Sequence, residues 1–174
     1  LIYSGSVSKA RGYINMINLM LCLTNEYYLH IAGNISEEQK SLIPNKLKNR
    51  IIIHGYLNQL ELSKLYLDAG IGLIMFNNVG QYFMSYSLKL FEYINYGMFI
   101  IMPNFGEWNN FNKKHKVGIN INTSESKLCA QKIIRLTSSE LQQISRNNIF
   151  VSNKFNWKDE INKLINFYYE IDKN

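Results

Sequence analysis

Lys89 and Glu92 lie near the start of a predicted helix, where they could bind a phosphate group and a sugar. Ser87 is a favoured N-cap residue, so Lys89 falls in the first turn, where the helix dipole disfavours a cation by roughly 0.5 kcal/mol. Free N–H groups of a first turn bind phosphate, and a bound anion would offset that cost. Glu92 could accept hydrogen bonds from two ribose hydroxyls. The alternative, an ordinary exposed Lys–Glu pair, stays open on spacing alone.

The turn from Gly5 to Gly12 is the second predicted anion site. Its glycine and serine residues leave the backbone accessible, and Lys9 and Arg11 are long enough to reach phosphate oxygens. The glycine spacing of a P-loop and its Lys-Ser/Thr pair are absent. A solvated turn carrying two ordinary surface cations is the alternative interpretation.

A weaker signal lies at the turn formed by His54, Gly55 and Tyr56. The Tyr56 ring could pack against a nucleobase, although an aromatic residue beside a strand end is more often involved in local packing. His54 is more typical of a hydrogen-bonded strand histidine than of a catalyst. The turn is therefore a secondary candidate for binding.

Composition and missing motifs exclude several classes of protein. The chain has 174 residues, 47% apolar and 18% charged, which suits a single globular domain over residues 1–174 and excludes a disordered segment or a coiled coil. Two cysteines form no disulfide framework, and no Asp-x-Asp pair is available for a metal. The net charge is +6, but no basic stripe with interleaved aromatic residues indicates nucleic-acid binding. We therefore expect no metal and no nucleic-acid partner.

Short apolar segments alternate with helical patterns along most of the chain, and two consecutive helices end it. The apolar segments are typical of buried parallel strands: 1–4, 28–32, 50–54, 71–76, 99–102 and 117–121. The helices are predicted at 12–23, 36–48, 59–68, 87–96, 107–114, 124–136, 139–152 and 157–171. This order predicts an α/β fold with a doubly wound, Rossmann-like parallel sheet. Ligands of such sheets bind beyond the carboxyl ends of the strands, where the candidate turns lie.

In their order, these segments resemble the C-terminal, nucleotide-sugar-binding domain of GT-B glycosyltransferases of the family 4, or group 1, type. The resemblance covers nearly the whole chain and is most specific at Ser87-Leu88-Lys89-Leu90-Phe91-Glu92-Tyr93 with Gly97. This version of the motif is similar to that of bacterial capsule and lipopolysaccharide enzymes. The other matching segments are Leu1-Ile2-Tyr3-Ser4-Gly5 with Arg11-Gly12, Leu29 to Gly33, Ile51 to Leu57, Pro103 with Gly106-Glu107, and Phe155-Asn156-Trp157.

The resemblance implies a role for each matching residue. The donor, a UDP- or GDP-sugar, would be held without any other cofactor. Arg11 and Lys89 would be the catalytic cations on its diphosphate, and Glu92 would hold the ribose hydroxyls. The remaining donor-binding residues would be Gly5, Gly55, Tyr56, Ser87 and Leu88.

The chain departs from the family pattern at two positions. The family often has a glutamate on the donor sugar where this chain has Met84, and a basic residue where this chain has Ser6. We therefore expect Arg11 and Lys89 to hold the diphosphate between them.

The resemblance also implies how the chain takes part in a reaction. The sugar would pass to an acceptor hydroxyl with retention and without a metal. Because the chain begins at a predicted strand, we expect an acceptor-binding domain upstream of Leu1. We expect that domain to bind a glycan or lipid-linked sugar, and this chain alone to bind donor weakly without useful activity. We expect a cytoplasmic location with peripheral contact at the inner face of the membrane.

Two other functions are compatible with these residues. A nucleotide-sugar 2-epimerase shares the architecture and would use Glu92, Glu107 and His54 as acid and base groups. A nucleotide- or phosphate-binding module without catalytic activity is the other alternative.

Overall fold

The computed structural model describes residues 1–171, and at Lys158 it describes the backbone without the side chain. Six parallel strands form one sheet in the order β3-β2-β1-β4-β5-β6. The strands are β1 (Ile2–Ser4), β2 (Leu29–Ala32), β3 (Ile51–Gly55), β4 (Ile71–Leu73), β5 (Phe99–Pro103) and β6 (Gly118–Ile121). This order confirms the predicted doubly wound α/β fold, and the direction of winding reverses between β1 and β4.

Within residues 1–171, eight α-helices connect or follow the strands. They are α1 (Tyr13–Cys22), α2 (Glu37–Ser41), α3 (Gln59–Asp68), α4 (Leu88–Asn95), α5 (Gly106–His115), α6 (Ser126–Ile134), α7 (Ser138–Ser152) and α8 (Trp157–Ile171). Two short 3-10 helices lie at Asn45–Leu47 and Gly80–Phe83. The two consecutive helices predicted at the end of the chain are confirmed as α7 and α8.

The sheet separates two apolar cores, as the alternation of side chains along β5 demonstrates. Phe99 and Ile101 belong to the core shared with α1 and α6. Ile100 and Met102 belong to the core shared with α3, α4, α5 and α7. Burial of each side chain of this size stabilises the folded state by about 1.5–3 kcal/mol. The two cores together therefore hold the strands, and with them their carboxyl ends, in place.

The helix predicted over 36–48 is wrong as a single element. Ser36 and Gln39 form a capping box that starts α2, but α2 ends at Ser41 and a 3-10 helix follows Pro44. Proline lacks an N–H and disfavours helical geometry at the residue before it, so Pro44 interrupts the helix. Strand β4 is also shorter than predicted, because the chain leaves the ladder after Leu73.

The last two helices differ in how firmly they are held. Asn148 of α7 is fully buried, and its Nδ2 donates to the carbonyl oxygens of Met98 (2.6 Å) and Val117 (3.0 Å). Helix α8 carries the predicted apolar stripe, whose members remain between one third and three quarters exposed: Trp157, Ile161, Leu164, Ile165 and Tyr168. Every helix within residues 1–171 falls short of the length and apolar character needed to cross a membrane.

Candidate functional site

A cleft of about 410 Å³ opens at the carboxyl ends of β1 and β4, where the winding of the sheet reverses. Ligands of doubly wound sheets bind at this point because the loops after the two central strands diverge there. Six predicted site residues line the cleft: Gly5, Arg11, Ser87, Leu88, Lys89 and Glu92. The structure thus brings together both predicted anion sites, which are separated by about half of the chain.

Lys89 is the most unusual group of the cleft. The residue is only 5% exposed, and within the described part of the chain its Nζ has no hydrogen-bond partner. The Nζ lies 3.8 Å from the centroid of the Tyr3 ring and 5.3 Å from that of Phe76. The pKa of Lys89 is lowered to about 7, mainly by burial and also by the charge of Arg11, whereas the charge of Glu92 acts in the opposite direction. A buried amine without a partner is suited to an anionic ligand.

Gly5 leaves the space into which the Lys89 side chain projects. Its φ of +101° favours glycine, and a Cβ added there would lie 3.7 Å from Lys89 Nζ. The Gly5 N–H donates to the carbonyl oxygen of Ala32 at 2.8 Å, which fixes the turn after β1. The Lys89 amine is therefore buried against the Gly5 backbone, and Gly5 and Lys89 both line the cleft.

Arg11 approaches the same cleft from the turn before α1. Its Nε donates to the Tyr82 hydroxyl at 3.3 Å, and its Nη1 donates to the carbonyl oxygen of Ser6 at 3.2 Å. The next residue, Gly12, has a φ of +81°, and a Cβ there would lie 1.8 Å from the carbonyl oxygen of Met75. Only glycine lets the turn approach the segment after β4 this closely, so Gly12 sets the position from which Arg11 reaches the cleft.

The first turn of α4 supplies backbone donors. Ser87 has the extended geometry of an N-cap residue, as predicted, but its side chain makes no capping hydrogen bond. Leu88, the first residue of α4, lines the cleft while its side chain is 80% exposed. The start of α4 therefore faces the cleft without a side-chain cap, which suits it to an anion.

Glu92 lies one turn further along α4, at the side of the cleft. Its Oε2 is 2.9 Å from the Tyr66 hydroxyl of α3, and the residue is otherwise exposed. The carboxylate thus lies beside, and not on, the buried amine of Lys89. An acceptor group set back from a phosphate site is suited to the hydroxyls of a ribose.

The segment between β4 and α4 contributes residues that the sequence analysis did not assign. Gln81, Tyr82, Ser85 and Tyr86 line the cleft. Tyr82 stacks against Phe76 at 4.5 Å between ring centroids, and its carbonyl oxygen accepts a hydrogen bond from Trp108 Nε1 at 2.8 Å. The run of aromatic residues after the strand end is a sequence signal for this part of the cleft. The residues that they contact are distant in the sequence, so the signal does not give their positions.

Several predicted residues lie elsewhere. Gly55 ends β3 and Tyr56 follows it; neither residue lines the cleft, and Tyr56 is 82% exposed. Their contact with a base stays a prediction. Met84 is 71% exposed and outside the cleft lining, whereas Ser6 lies within it.

The groups required by the epimerase alternative are not assembled. His54 Nε2 is 3.0 Å from His30 Nδ1 on the neighbouring strand, and Glu107 Oε2 accepts a hydrogen bond from Tyr86 at 3.3 Å. Neither His54 nor Glu107 lines the cleft beside Glu92. Within residues 1–171, no three His, Cys, Asp or Glu side chains are grouped as metal ligands.

Solved structures of glycosyltransferases have the same arrangement of helices and strands. Sucrose-phosphate synthase from Thermosynechococcus elongatus matches with a TM-score of 0.82 and 15% identity, over 99% of this chain and 45% of that one. The C-terminal domain of a glycosyl transferase group 1 family protein from Francisella tularensis matches with a TM-score of 0.72 and 18% identity, over 90% of this chain and 85% of that one. HepE from Anabaena, crystallised with UDP, matches with a TM-score of 0.75 and 12% identity, over 97% of this chain and 48% of that one.

The chain thus spans about half the length of the synthase and of HepE. No protein-family model matches the chain, and no curated protein matches it in sequence. At these identities the likeness concerns the fold. The chain has the fold of the C-terminal domain of GT-B glycosyltransferases.

Proposed function

We propose that this chain is the donor-binding domain of a glycosyltransferase whose donor is a UDP- or GDP-sugar. The observation that carries the proposal is the buried, unpartnered amine of Lys89, which faces a cleft at the reversal point of the sheet. A buried, charged amine without a partner destabilises the folded state while the cleft is empty, and its charge becomes favourable once an anion contacts it. Arg11 and the start of α4 lie at the same cleft, so three anion-binding elements converge there.

The donor is proposed to lie across this cleft with its diphosphate between Lys89 and Arg11. The ribose would then reach Glu92. HepE was crystallised with UDP and with UDP-glucose, which supports a nucleotide sugar as the ligand class for this fold. The sugar would lie toward the segment that contains Gln81 and Ser85, since these polar residues line the cleft.

The reaction we propose is transfer of the sugar to an acceptor hydroxyl with retention at the anomeric carbon. The bond between the anomeric carbon and the diphosphate oxygen breaks, a bond to the acceptor oxygen forms, and the proton of the acceptor hydroxyl passes to the leaving diphosphate. Negative charge grows on the leaving diphosphate in the transition state. Lys89 and Arg11 would stabilise this charge more strongly than that of the bound donor, which accelerates the reaction without a metal.

We propose that an N-terminal domain binds the acceptor, a glycan or lipid-linked sugar of bacterial capsule or lipopolysaccharide synthesis. The sequence resemblance implies that the closing segment, which starts at Phe155-Asn156-Trp157, packs toward such a domain. The apolar stripe of α8, which includes Trp157 and Leu164, is suited to that contact because it is exposed in this chain. The acceptor and the pathway rest on the resemblance to capsule and lipopolysaccharide enzymes.

Calorimetric titration separates this proposal from its alternatives. We expect UDP or GDP to bind more tightly than inorganic pyrophosphate. We expect a short DNA duplex to bind only weakly, through nonspecific attraction between its phosphates and the positive charge of the protein. Binding of the duplex without binding of either nucleotide would contradict the proposal. Pyrophosphate binding as tight as nucleotide binding would favour the phosphate-binding module instead.

A further inference from the structure

We propose that Tyr66 is a positioning residue that orients the Glu92 carboxylate and thereby sets a preference for ribonucleotides over 2′-deoxyribonucleotides. The inference rests on the proposed function, because it assumes that Glu92 holds the ribose. Tyr66 belongs to α3, outside the α4 motif and outside the cleft lining. It would act on the ligand only through Glu92.

Four groups form a continuous series of hydrogen bonds at the side of the cleft, and two of them, Ser4 and Glu92, line it. The Tyr66 hydroxyl lies 2.9 Å from Glu92 Oε2 and 2.7 Å from Ser4 Oγ. Ser4 Oγ lies 3.3 Å from the Tyr93 hydroxyl, which also accepts the Ser4 backbone N–H at 3.1 Å. The series of hydrogen bonds therefore starts at the backbone N–H of Ser4 in β1 and passes through the Tyr93 hydroxyl to Ser4 Oγ. From there it continues through the Tyr66 hydroxyl and ends on the carboxylate of Glu92.

The number of available protons fixes the direction of this series of hydrogen bonds. Tyr66 has one hydroxyl proton and two oxygen neighbours, so it donates to only one of them at a time. The Glu92 carboxylate can only accept, whereas the Ser4 hydroxyl can donate. Both contacts are satisfied when Tyr66 donates to Glu92 and Ser4 donates to Tyr66. Tyr93 then donates to Ser4, and no hydroxyl proton is left over.

The Tyr66 ring is held firmly enough to serve as a support. The residue is 3% exposed, and its ring packs edge-on against Tyr93 at 5.8 Å and tilted against Tyr96 at 5.0 Å. Burial raises the pKa of Tyr66 well above its ordinary value, with Tyr93 and Glu92 acting in the same direction, so the hydroxyl keeps its proton. A donor with a fixed position restricts the rotamers of an otherwise exposed glutamate.

This restriction would matter for a ligand with two adjacent hydroxyls. Tyr66 occupies one side of Oε2, so Oε1 and the outer side of the carboxylate remain for the ribose. A carboxylate held in advance loses less rotamer freedom when it binds. Without Tyr66, Glu92 would be free to turn into solvent, and the binding energy that depends on the 2′-hydroxyl would fall.

The test measures the affinity of the 174-residue chain for UDP and for 2′-deoxy-UDP by calorimetry. We expect Tyr66→Phe to lower the UDP to 2′-deoxy-UDP affinity ratio by about threefold to tenfold, the range for the net contribution of one ordinary hydrogen bond. Affinity for inorganic pyrophosphate should not change, since Lys89 and Arg11 are intact. Ser4→Ala should lower the ratio less, because it removes only the second link.

Tyr96→Phe is the matched control. It removes a tyrosine hydroxyl from the same α3–α4 interface, where Tyr96 donates to Ser63 Oγ at 2.7 Å, and its ring also contacts Tyr66. We expect Tyr96→Phe to lower the thermal midpoint about as much as Tyr66→Phe while leaving the ribose preference unchanged. A loss of preference in the control would assign the effect to packing and overturn the positioning role.

Glu92→Gln separates failure of this inference from failure of the proposed function. If Glu92→Gln lowers the ribose preference and Tyr66→Phe does not, the positioning role is overturned and the proposed function stands. If neither variant changes the preference, or if UDP does not bind, the assignment of Glu92 to ribose fails and this inference fails with it. In the double variant, Tyr66→Phe should add no further loss, since both residues act on one contact.

Discussion

The turns that follow β1 and β3 carry the same sequence signal and have different surroundings. Each places a glycine with positive φ at a strand end, Gly5 at +101° and Gly55 at +69°. Beside Gly5 lies the buried amine of Lys89, whereas a Cβ added to Gly55 would meet nothing within 4 Å. Because β1 lies at the reversal point and β3 at the edge of the sheet, only the first turn is enclosed by loops from both halves. Position in the sheet thus distinguishes two turns that look alike in sequence.

Removing the Lys89 charge should produce the largest difference between the two turns. We expect Lys89→Met to lower affinity for UDP and for pyrophosphate by roughly tenfold to a hundredfold, since it removes a charge-assisted contact in a buried site. The same change should raise the free energy of unfolding by roughly 1–3 kcal/mol below pH 7, because the buried cation has no partner in the empty cleft.

The control for this prediction is Lys64→Met on α3, which removes an exposed lysine that does not line the cleft. Calorimetry and urea denaturation at pH 6 measure the two effects. An unchanged pyrophosphate affinity in Lys89→Met would contradict the assignment of Lys89 to the anion.

The pH dependence of binding and of stability should have opposite signs. The pKa of Lys89 is lowered to about 7, so an empty cleft holds a largely neutral amine above that pH. Anion binding then requires proton uptake, and affinity should fall by up to about tenfold per pH unit above pH 7. The unfolded chain, with an ordinary lysine pKa of 10.5, holds more protons than the folded chain between pH 7 and 10.5. The contribution of Lys89 to the free energy of unfolding therefore rises with pH across that window.

Titrations in two buffers with different ionisation enthalpies measure the proton uptake directly. We expect uptake of up to one proton per pyrophosphate at pH 8 in the wild type and none in Lys89→Met. Equal proton uptake in both proteins would assign the linkage to another group.

Exchanging the two glycines for alanine compares the turns themselves. Both substitutions strain a positive φ, and we expect each to lower the free energy of unfolding by about 1–3 kcal/mol, with Gly5 at the upper end. Only Gly5→Ala should also lower pyrophosphate affinity, by about threefold, because its Cβ contacts the Lys89 amine. Thermal denaturation and calorimetry check this pair, with Gly55→Ala as the control, and a similar loss of affinity in both variants would show that the turns do not differ.

The fold was predictable because its signals are local. The strand at 99–102 is a continuous apolar run, and the helix at 59–68 begins at Asn58, whose side chain caps it together with Glu61. The wrong prediction of a single helix over 36–48 had a local cause as well, since the prediction followed the run of helix-forming residues and neglected the effect of Pro44. Signals of this kind depend only on residues that are close to one another in the sequence.

The sequence predicted part of the cleft lining, but it did not predict the burial of Lys89 or the partner of Glu92. The N-cap pattern at Ser87 placed Lys89 at a helix start, and the cleft contains both. Its burial depends on Tyr3 and Phe76, which lie far away in the sequence. Likewise, the contact between Glu92 and Tyr66 joins two helices, and no spacing within either helix indicates it. Residues at a helix start can be read locally, whereas their partners are set by tertiary packing.

Tyr56→Ala tests the turn after β3 most directly. If the turn after β3 contacts the base of the donor, Tyr56→Ala should lower UDP affinity by about fivefold, the lower end of the range for loss of one base-stacking contact, and leave pyrophosphate affinity unchanged. The folded state should lose little stability, because the ring is already 82% exposed in the empty protein. Leu60→Ala on the neighbouring α3 is the control, since it truncates another exposed apolar side chain. An equal UDP affinity in all three proteins would leave the turn after β3 without a role in binding and restrict the site to the reversal point of the sheet.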